Sequence, residues 1–363
     1  MMSMRGGQDI RFCKTVDGVE LAVAEHGSGP PLVMVADWFL PAAFDPKTSN
    51  IAHVVEEFSR DHRFVMYDTR GCGLSQRHVS DVSLEAWIAD VEAVVDALGL
   101  ERFALFGFSY AAPIAVAYAA RHPERVDRMA LLNGFATAYL STSKQDPTIV
   151  EEAMALLKIV EIGWGSDSPA FRQVFAAKCL PDGTVEQWRA FDTMTRAQVA
   201  PDVAVRILKA IMRINVNADA ARVRCPTLAF HTRGDQIIYF AQGRRLASLI
   251  PGARFIPLEG RNHWPFADEP AWQSQLVNEL RAFLGVTPPA TAPSHDKLTP
   301  RQLEVLRRVA AGQTDKQIAR ELALSPRTVE MHVAGAMRAL DSKTRAEAAH
   351  RASVQGLLPP SLQ

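Results

Sequence analysis

With 363 residues, 48% of them apolar and 22% charged, the chain has the composition of a soluble globular protein and is too long for most single compact cores, so two domains are expected. Its 40 basic and 40 acidic side chains cancel, yet from Lys297 onward 11 Lys/Arg stand against 6 Asp/Glu, which puts a basic tail behind an acidic body. Four scattered cysteines without C-x-x-C spacing, no run near the roughly 20 apolar residues of a membrane span, and no apolar signal-peptide core speak against a zinc site, a membrane span and secretion. The expectation is a cytoplasmic protein with buried thiols (Cys13, Cys72, Cys179, Cys225), no cofactor and no metal. The basic tail suits an anionic partner, nucleic acid first, with a solvated charged face as the alternative.

Along the first part of the chain, short β-rich runs alternate with helical patterns. Strands are expected at Val19 to Ala24, Leu32 to Val35, Phe64 to Tyr67, Phe103 to Phe106 and Met129 to Leu132. Ile51 to Arg60, Leu84 to Leu98 and Pro113 to Arg121 repeat their apolar residues at helical spacing. Such a βαβ series predicts an α/β fold, with a mostly parallel sheet covered by helices. From about Pro147 to Asn215 only helical patterns occur, so this block is expected to cap the sheet before strands resume at Thr227 to Phe230 and Arg254 to Ile256.

Strand Phe103 to Phe106 runs into GFSYA and then an Ala-rich helix. Gly107 and Ala111, two residues on either side of Ser109, allow the sharp strand-to-helix turn that a nucleophilic serine needs. The alternative is a serine that simply caps the helix. Asp235 follows the strand Thr227 to Phe230 in HTRGDQ, and His263 follows Arg254 to Ile256 in GRNHWPF. In this order, His263 would take the Ser109 hydroxyl proton while Asp235 fixes the imidazole tautomer. The competing readings are a turn aspartate and a loop histidine.

Residues 9 to 285 resemble the α/β-hydrolase superfamily; YDTRGCGLSQR (Tyr67 to Arg77) is similar to its DxRGxGxS turn, and RHPERV (Arg121 to Val126) is also typical. The resemblance implies an eight-stranded sheet with a helical cap at about 136–222, between strands six and seven. It also implies an oxyanion hole made by the backbone N–H of Tyr110 and one from the loop after Leu32 to Val35. That loop departs from the family's His-Gly: it reads Ala36, Asp37, Trp38. The Trp38 amide is the expected second donor, and Asp37 is expected at the ligand pocket, where it would either set a negative charge near a developing oxyanion or point away.

GVTPPATAPSHD (Gly285 to Asp296) has the prolines of a linker, so the domains are read as 1–285, a linker over 286–297, and 298–363. Four short helices follow. Thr299 with Gln302, Thr314 with Gln317 and Thr344 with Glu347 form capping-box patterns, and Ser325 with Pro326 opens the third helix. Only Ala323 and Leu324 separate the second and third helices, the tight connection of a helix-turn-helix. On the third helix Val329, Val333, Ala336 and Leu340 make an inward stripe, leaving Arg327, Glu330, Met331, Ala334 and Arg338 outward.

Arg327 and Arg338 suit phosphates or guanine edges, Glu330 suits cytosine, Lys316 suits a phosphate, and Thr328 and Met331 complete the expected DNA-binding set. A small helical packing module with solvated arginines is the alternative. The stretch from LTPRQLEVL through SPRTVEMH to about Ala349 resembles the LuxR-type helix-turn-helix, although Val333 and Ala339 stand where many relatives have a basic residue and Gly335 weakens its helix by about 1 kcal/mol.

The resemblance implies double-stranded DNA as partner and a dimer formed through Thr344 to Gln355. Together the two parts resemble LuxR-type regulators with a hydrolase-like sensor. The expected function is a DNA-binding transcription regulator that senses a small, largely apolar ligand, the alternative being an active serine esterase or lactonase coupled to the DNA-binding domain.

Overall fold

The computed structural model describes residues 9–43, 51–141, 147–264, 266, 269, 272–285, 298–322, 324–340, 342–354 and 357–358; the side chains of 273, 274, 300 and 338 are not described. The chain divides into two compact units, Met1–Val286 and Thr287–Gln363. The expected linker at 286–297 lies outside the described residues, as do Ala323 of the helix-turn-helix connection and Gln355 at the end of the fourth helix.

The first unit is built on an eight-stranded sheet of β1 (Ile10–Lys14), β2 (Glu20–His26), β3 (Pro31–Met34), β4 (Arg63–Tyr67), β5 (Phe103–Phe108), β6 (Val126–Leu132), β7 (Thr227–Thr232) and β8 (Arg254–Leu258). The spatial order is β1-β2-β4-β3-β5-β6-β7-β8. β2 pairs antiparallel with β1 and β4, and the remaining pairs are parallel. β3 and β5 are almost wholly buried because helices cover both faces, which explains their unbroken apolar runs. β1 was not among the strands expected from periodicity. It is an edge strand in which only Cys13 is buried and Phe12 stands 55% exposed, so it carries no apolar run.

Helices α1 (Ala52–Phe58), α2 (Leu84–Ala97) and α3 (Ala111–Arg121) connect the central strands. Between β6 and β7 come α4 (Pro147–Gly163), α5 (Ala170–Cys179), α6 (Val185–Gln198), α7 (Pro201–Ile211) and the short α8 (Asn217–Ala220). The first four form the cap. α9 (Phe240–Leu249) joins β7 to β8, and a π-helical turn at Trp272–Val277 leads into α10 (Asn278–Phe283).

Aromatic rings bind the cap to the loop after β3: Trp38 stacks on Trp164 at 5.2 Å and meets Phe175 edge-on at 5.9 Å, while Phe39 packs edge-on against Phe191 at 5.6 Å. The turn after β4 ties the same two parts by hydrogen bonds. The buried Asp68 carboxylate accepts the Ala42 N–H at 2.8 Å from the loop, the Leu74 N–H at 2.8 Å and Gln198 Nε2 at 2.9 Å from the end of α6. Gly73 donates its N–H to the Gln198 carbonyl at 2.7 Å, and a Cβ there would lie 2.1 Å from Asp68 Oδ2, so only glycine fits.

The second unit comprises α11 (Pro300–Ala310), α12 (Asp315–Glu321), α13 (Pro326–Ala339) and α14 (Arg345–Val354). The capping boxes at Thr299 and Thr314 form in full. The one at Thr344 forms in half: its hydroxyl accepts the Glu347 N–H, but the Glu347 carboxylate turns to the Lys343 N–H at 2.9 Å. Val329, Val333, Ala336 and Leu340 are buried in two apolar clusters, one centred on Leu306 and one on Ile318. Gly335 has a packing reason that its helix propensity hides. Gln302 Nε2 lies 2.6 Å from where its Cβ would stand, so the glycine lets the capping residue of α11 lie close to α13.

Arg70, in the turn after β4, is fully buried and grips Asp90 of α2 through Nε and Nη2 at 2.7–3.1 Å, with Nη1 on Asp17 at 2.8 Å. Removing one partner strands a buried charge. Asp90→Ala should therefore destabilise the first unit by roughly 3–5 kcal/mol in urea unfolding followed by tryptophan fluorescence. A loss under about 1 kcal/mol, the range of an exposed pair, would contradict this.

Candidate functional site

Ser109 sits between β5 and α3 with φ of +55°, a left-handed conformation for a residue with a side chain. A Cβ on Gly107 would lie 2.8 Å from the Ala112 Cα, so the close turn requires glycine there. The structure brings Ser109, Asp235 and His263 together. His263 Nε2 lies 2.9 Å from Ser109 Oγ, and Nδ1 lies 2.6 Å from Asp235 Oδ2. Because a carboxylate only accepts, Nδ1 carries the proton and Nε2 is free to accept the serine hydroxyl's. Asp235 Oδ1 accepts the Ile237 and Ile238 amides at 2.8 and 3.1 Å, which leaves Oδ2 for the histidine. All three residues are buried.

Several groups that support this arrangement were not singled out from sequence. The His263 N–H donates to the Cys179 carbonyl at 2.7 Å, so the end of cap helix α5 holds the histidine's backbone. Asn133, left-handed at φ +51°, donates Nδ2 to the His263 carbonyl at 2.6 Å and accepts the Thr232 N–H at 2.7 Å, linking the ends of β6 and β7 to the histidine loop. The Asn133-Gly134 pair is a turn signal that could have marked this corner. His231 takes no part in the triad. It contacts the Ile238 carbonyl through Nε2 at 2.7 Å, and burial lowers its pKa, so the neutral ring braces the Asp235 loop.

A cavity of about 870 Å³, its mouth included, opens on Ser109 and His263. Its walls are mostly apolar, with Trp38, Phe135, Leu156, Phe175, Ile211 and Ile238 among them. Such a lining suits a small organic ligand. Trp38 and Tyr110, the expected oxyanion donors, both line it. The Tyr110 N–H, at the start of α3, takes no backbone carbonyl among the described residues.

Asp37 departs from expectation. It is not part of the cavity wall; it is buried behind Trp38 and Phe39, with Oδ1 on the Phe39 N–H at 3.2 Å and Oδ2 without a partner. Burial pushes its carboxyl well above the ordinary value, against a smaller opposing pull from the Phe39 and Trp38 amides. The negative charge expected beside the oxyanion is thus disfavoured. The residues that follow Asp37 in the loop, Trp38 and Phe39, form the aromatic seam to the cap.

In the second unit the expected contact residues separate by exposure. Lys316, Arg327, Glu330, Met331 and Ala334 are exposed, Met331 at 68%. Thr328 is half-buried, and its hydroxyl is 2.8 Å from Ser325 Oγ, which commits it to the helix cap. Arg338 lies on α13, but its side chain is outside the described residues. Arg301, Arg308, Arg345 and Arg351 are spent in ion pairs. Lys316 and Arg327 enter none among the described residues, which leaves their charge available to an anion. Among the described residues no His, Cys, Asp and Glu cluster could hold a metal, and no helix is long and apolar enough to cross a membrane. The four cysteines are free and buried.

Residues 46–184 match the alpha/beta hydrolase fold family, and residues 296–352 match the bacterial regulatory proteins of the luxR family. The chain is 28% identical over 285 residues to an AB hydrolase superfamily protein, YisY, of Bacillus subtilis, covering 75% of this chain and 97% of that one. It is 26% identical to the 2-hydroxy-6-oxo-2,4-heptadienoate hydrolase of Pseudomonas putida, covering 72% and 88%. Among solved structures, an esterase from Exiguobacterium antarcticum superposes with a TM-score of 0.63 at 20% identity, covering 77% of this chain and all of that one. An enol-lactonase from Burkholderia xenovorans gives 0.60 at 22%, covering 76% and 100%. These structural likenesses speak for the fold.

The buried Asp37 carboxyl makes a pH-dependent prediction. Its folded pKa is raised above the unfolded one, so folding favours the protonated form and stability falls as pH rises through the interval between the two values. Asp37→Asn keeps the acceptor for Phe39 and cannot ionise. Its stability gain over the native chain should grow with pH above the unfolded value of about 3.9, at up to about 1.4 kcal/mol per pH unit, and vanish below it. Unfolding midpoints of both proteins across acid to neutral pH check this; a pH-independent difference would contradict it.

Proposed function

From the two domains that the chain carries, an α/β-hydrolase-fold domain and a luxR-family helix-turn-helix domain, we propose that it is a DNA-binding transcription regulator whose first domain senses a small, largely apolar ligand. The observation that carries this reading is an apolar cavity, opening on an assembled Ser109–His263–Asp235 chain, in the same polypeptide as a helix-turn-helix whose exposed Lys316 and Arg327 enter no ion pair among the described residues. The cavity supplies a place for a signal molecule, and Arg327 and Lys316 supply charge for phosphate or base contacts. One such module offers few phosphate contacts, so the protein acts on DNA as a homodimer reading two half-sites.

The triad favours a second reading, an active serine esterase or lactonase whose domain reports substrate or product. In that chemistry His263 removes the Ser109 proton, the serine oxygen adds to the acyl carbon, and the amides of Tyr110 and Trp38 receive the oxyanion. The two readings differ in turnover. Because Asp37 stands where the loop usually has a glycine, hydrolysis by the native chain should be slow; loss of one oxyanion donor typically costs on the order of 100- to 1000-fold in rate.

Selection from a random DNA library should recover one motif with two related half-sites, and Arg327→Ala should weaken its binding by roughly 1–3 kcal/mol if the arginine reads a base. Recovery of no shared motif, with or without extracts containing small molecules, would contradict the regulator reading. An alkyl fluorophosphonate should label Ser109, and His263→Ala should abolish the labelling by removing the base. On simple esters Asp37→Gly should turn over faster than the native chain. Fast native turnover left unchanged by Asp37→Gly would favour the enzyme reading, while absence of labelling in the folded protein would leave a binding pocket without chemistry.

A further inference from the structure

Among the described side chains lining the cavity, the charged ones apart from the triad histidine are Glu152 of α4 and Lys178 of α5. Lys178 Nζ lies 3.7 Å from the Glu152 carboxylate, and the same carboxylate oxygen accepts the Tyr239 hydroxyl at 2.6 Å. Tyr239 therefore stays a donor, its own ionisation pushed up to about 12 by that carboxylate. The cluster is anchored by the site itself. Lys178 precedes Cys179, whose carbonyl holds the His263 amide, and Tyr239 follows Ile238, whose amide binds Asp235. Glu152 thus clasps, from the cap, the two chain segments that support the triad's histidine and aspartate.

A carboxylate entering this cavity leaves water for walls that are mainly apolar, and a cation recovers more of that loss than the neutral donors of the wall do. Among the described residues the one ammonium on the wall is paired with Glu152, so two carboxylates would have to share it, and Glu152 cannot turn away without releasing Tyr239. A neutral ligand meets no such conflict. Discrimination of this kind comes from a repulsive element as much as from attractive contacts.

We propose that Glu152, held by Lys178 and Tyr239, is a specificity determinant of the cavity and selects uncharged acyl ligands, such as esters, amides or lactones, over the corresponding free acids. The inference rests on the reading of this cavity as the ligand site. As a sensor the protein would then respond to the ester or lactone and release the acid that hydrolysis produces.

The test is calorimetric titration of Ser109→Ala, which cannot turn an ester over, with methyl octanoate and with octanoate at neutral pH. The ester should bind about tenfold tighter than the acid, a modest factor because Glu152 and Lys178 are half and one-third exposed. Glu152→Gln in the same background keeps a hydrogen-bonding side chain and frees the ammonium, and should narrow the preference to within about threefold. Adding Lys178→Met should restore it. Equal binding of ester and acid by Ser109→Ala, a ratio that Glu152→Gln leaves unchanged, or no binding of either ligand would overturn the proposal. Phosphonate labelling of the native Ser109 uses neither ligand and none of these variants at Glu152, so a failed triad and a failed selectivity are told apart.

Discussion

The hydrogen bond from the His263 amide to the Cys179 carbonyl, 2.7 Å long, is the contact on which the site depends, because it fixes the catalytic-type histidine to the cap rather than to the sheet alone. Ser109 and Asp235 are placed by the ends of β5 and β7, which a packed parallel sheet holds rigidly. His263 follows β8 at a distance of several residues, on a loop with little regular structure of its own. Its carbonyl is held by Asn133, its amide by Cys179 and its ring by Asp235. The same helix α5 lines the cavity through Phe175, Lys178 and Cys179, so a ligand there would touch the element that holds the histidine's backbone.

The loop after β3 gives the cap a second grip. A glycine there would leave the backbone freer, but Asp37-Trp38-Phe39 trades that freedom for rings that stack on Trp164 and meet Phe175 and Phe191 edge-on. The trade burdens the fold with a buried carboxyl that has an unpartnered oxygen. A chain under pressure only for fast hydrolysis gains nothing from this. A chain in which cap position carries information gains a stiff link between ligand, cap and nucleophile, and that is the physical sense of the regulator reading.

Much of this architecture was legible in the sequence because its signals are local. Gly107-x-Ser109-x-Ala111 between a strand and a helix, the order Ser109, Asp235, His263, and the Thr and Ser caps of the second unit each sit within a few residues of what they specify. The structure brings the first three within hydrogen-bonding distance and forms the caps at Thr299, Thr314 and Ser325. What was not legible depends on tertiary contact. β1 lacks an apolar run because it is an edge. The role of Gly335 is set by Gln302 on another helix. The Cys179 carbonyl carries no side-chain signature at all, and the burial of Asp37 follows from the packing of the loop beneath the cap.

The central claim is that occupancy of the hydrolase-fold cavity governs how the helix-turn-helix engages DNA. Phosphonylation of Ser109 by an alkyl fluorophosphonate offers a permanent occupant at known stoichiometry. The direct measurement is the operator affinity of full-length protein before and after complete labelling, at one fixed salt concentration, since protein–DNA affinities have no meaning without it. The account predicts a change of at least about fivefold in either direction, a coupling free energy of about 1 kcal/mol. Identical affinity of the labelled and unlabelled proteins would contradict it and leave two domains that share a chain without sharing a signal.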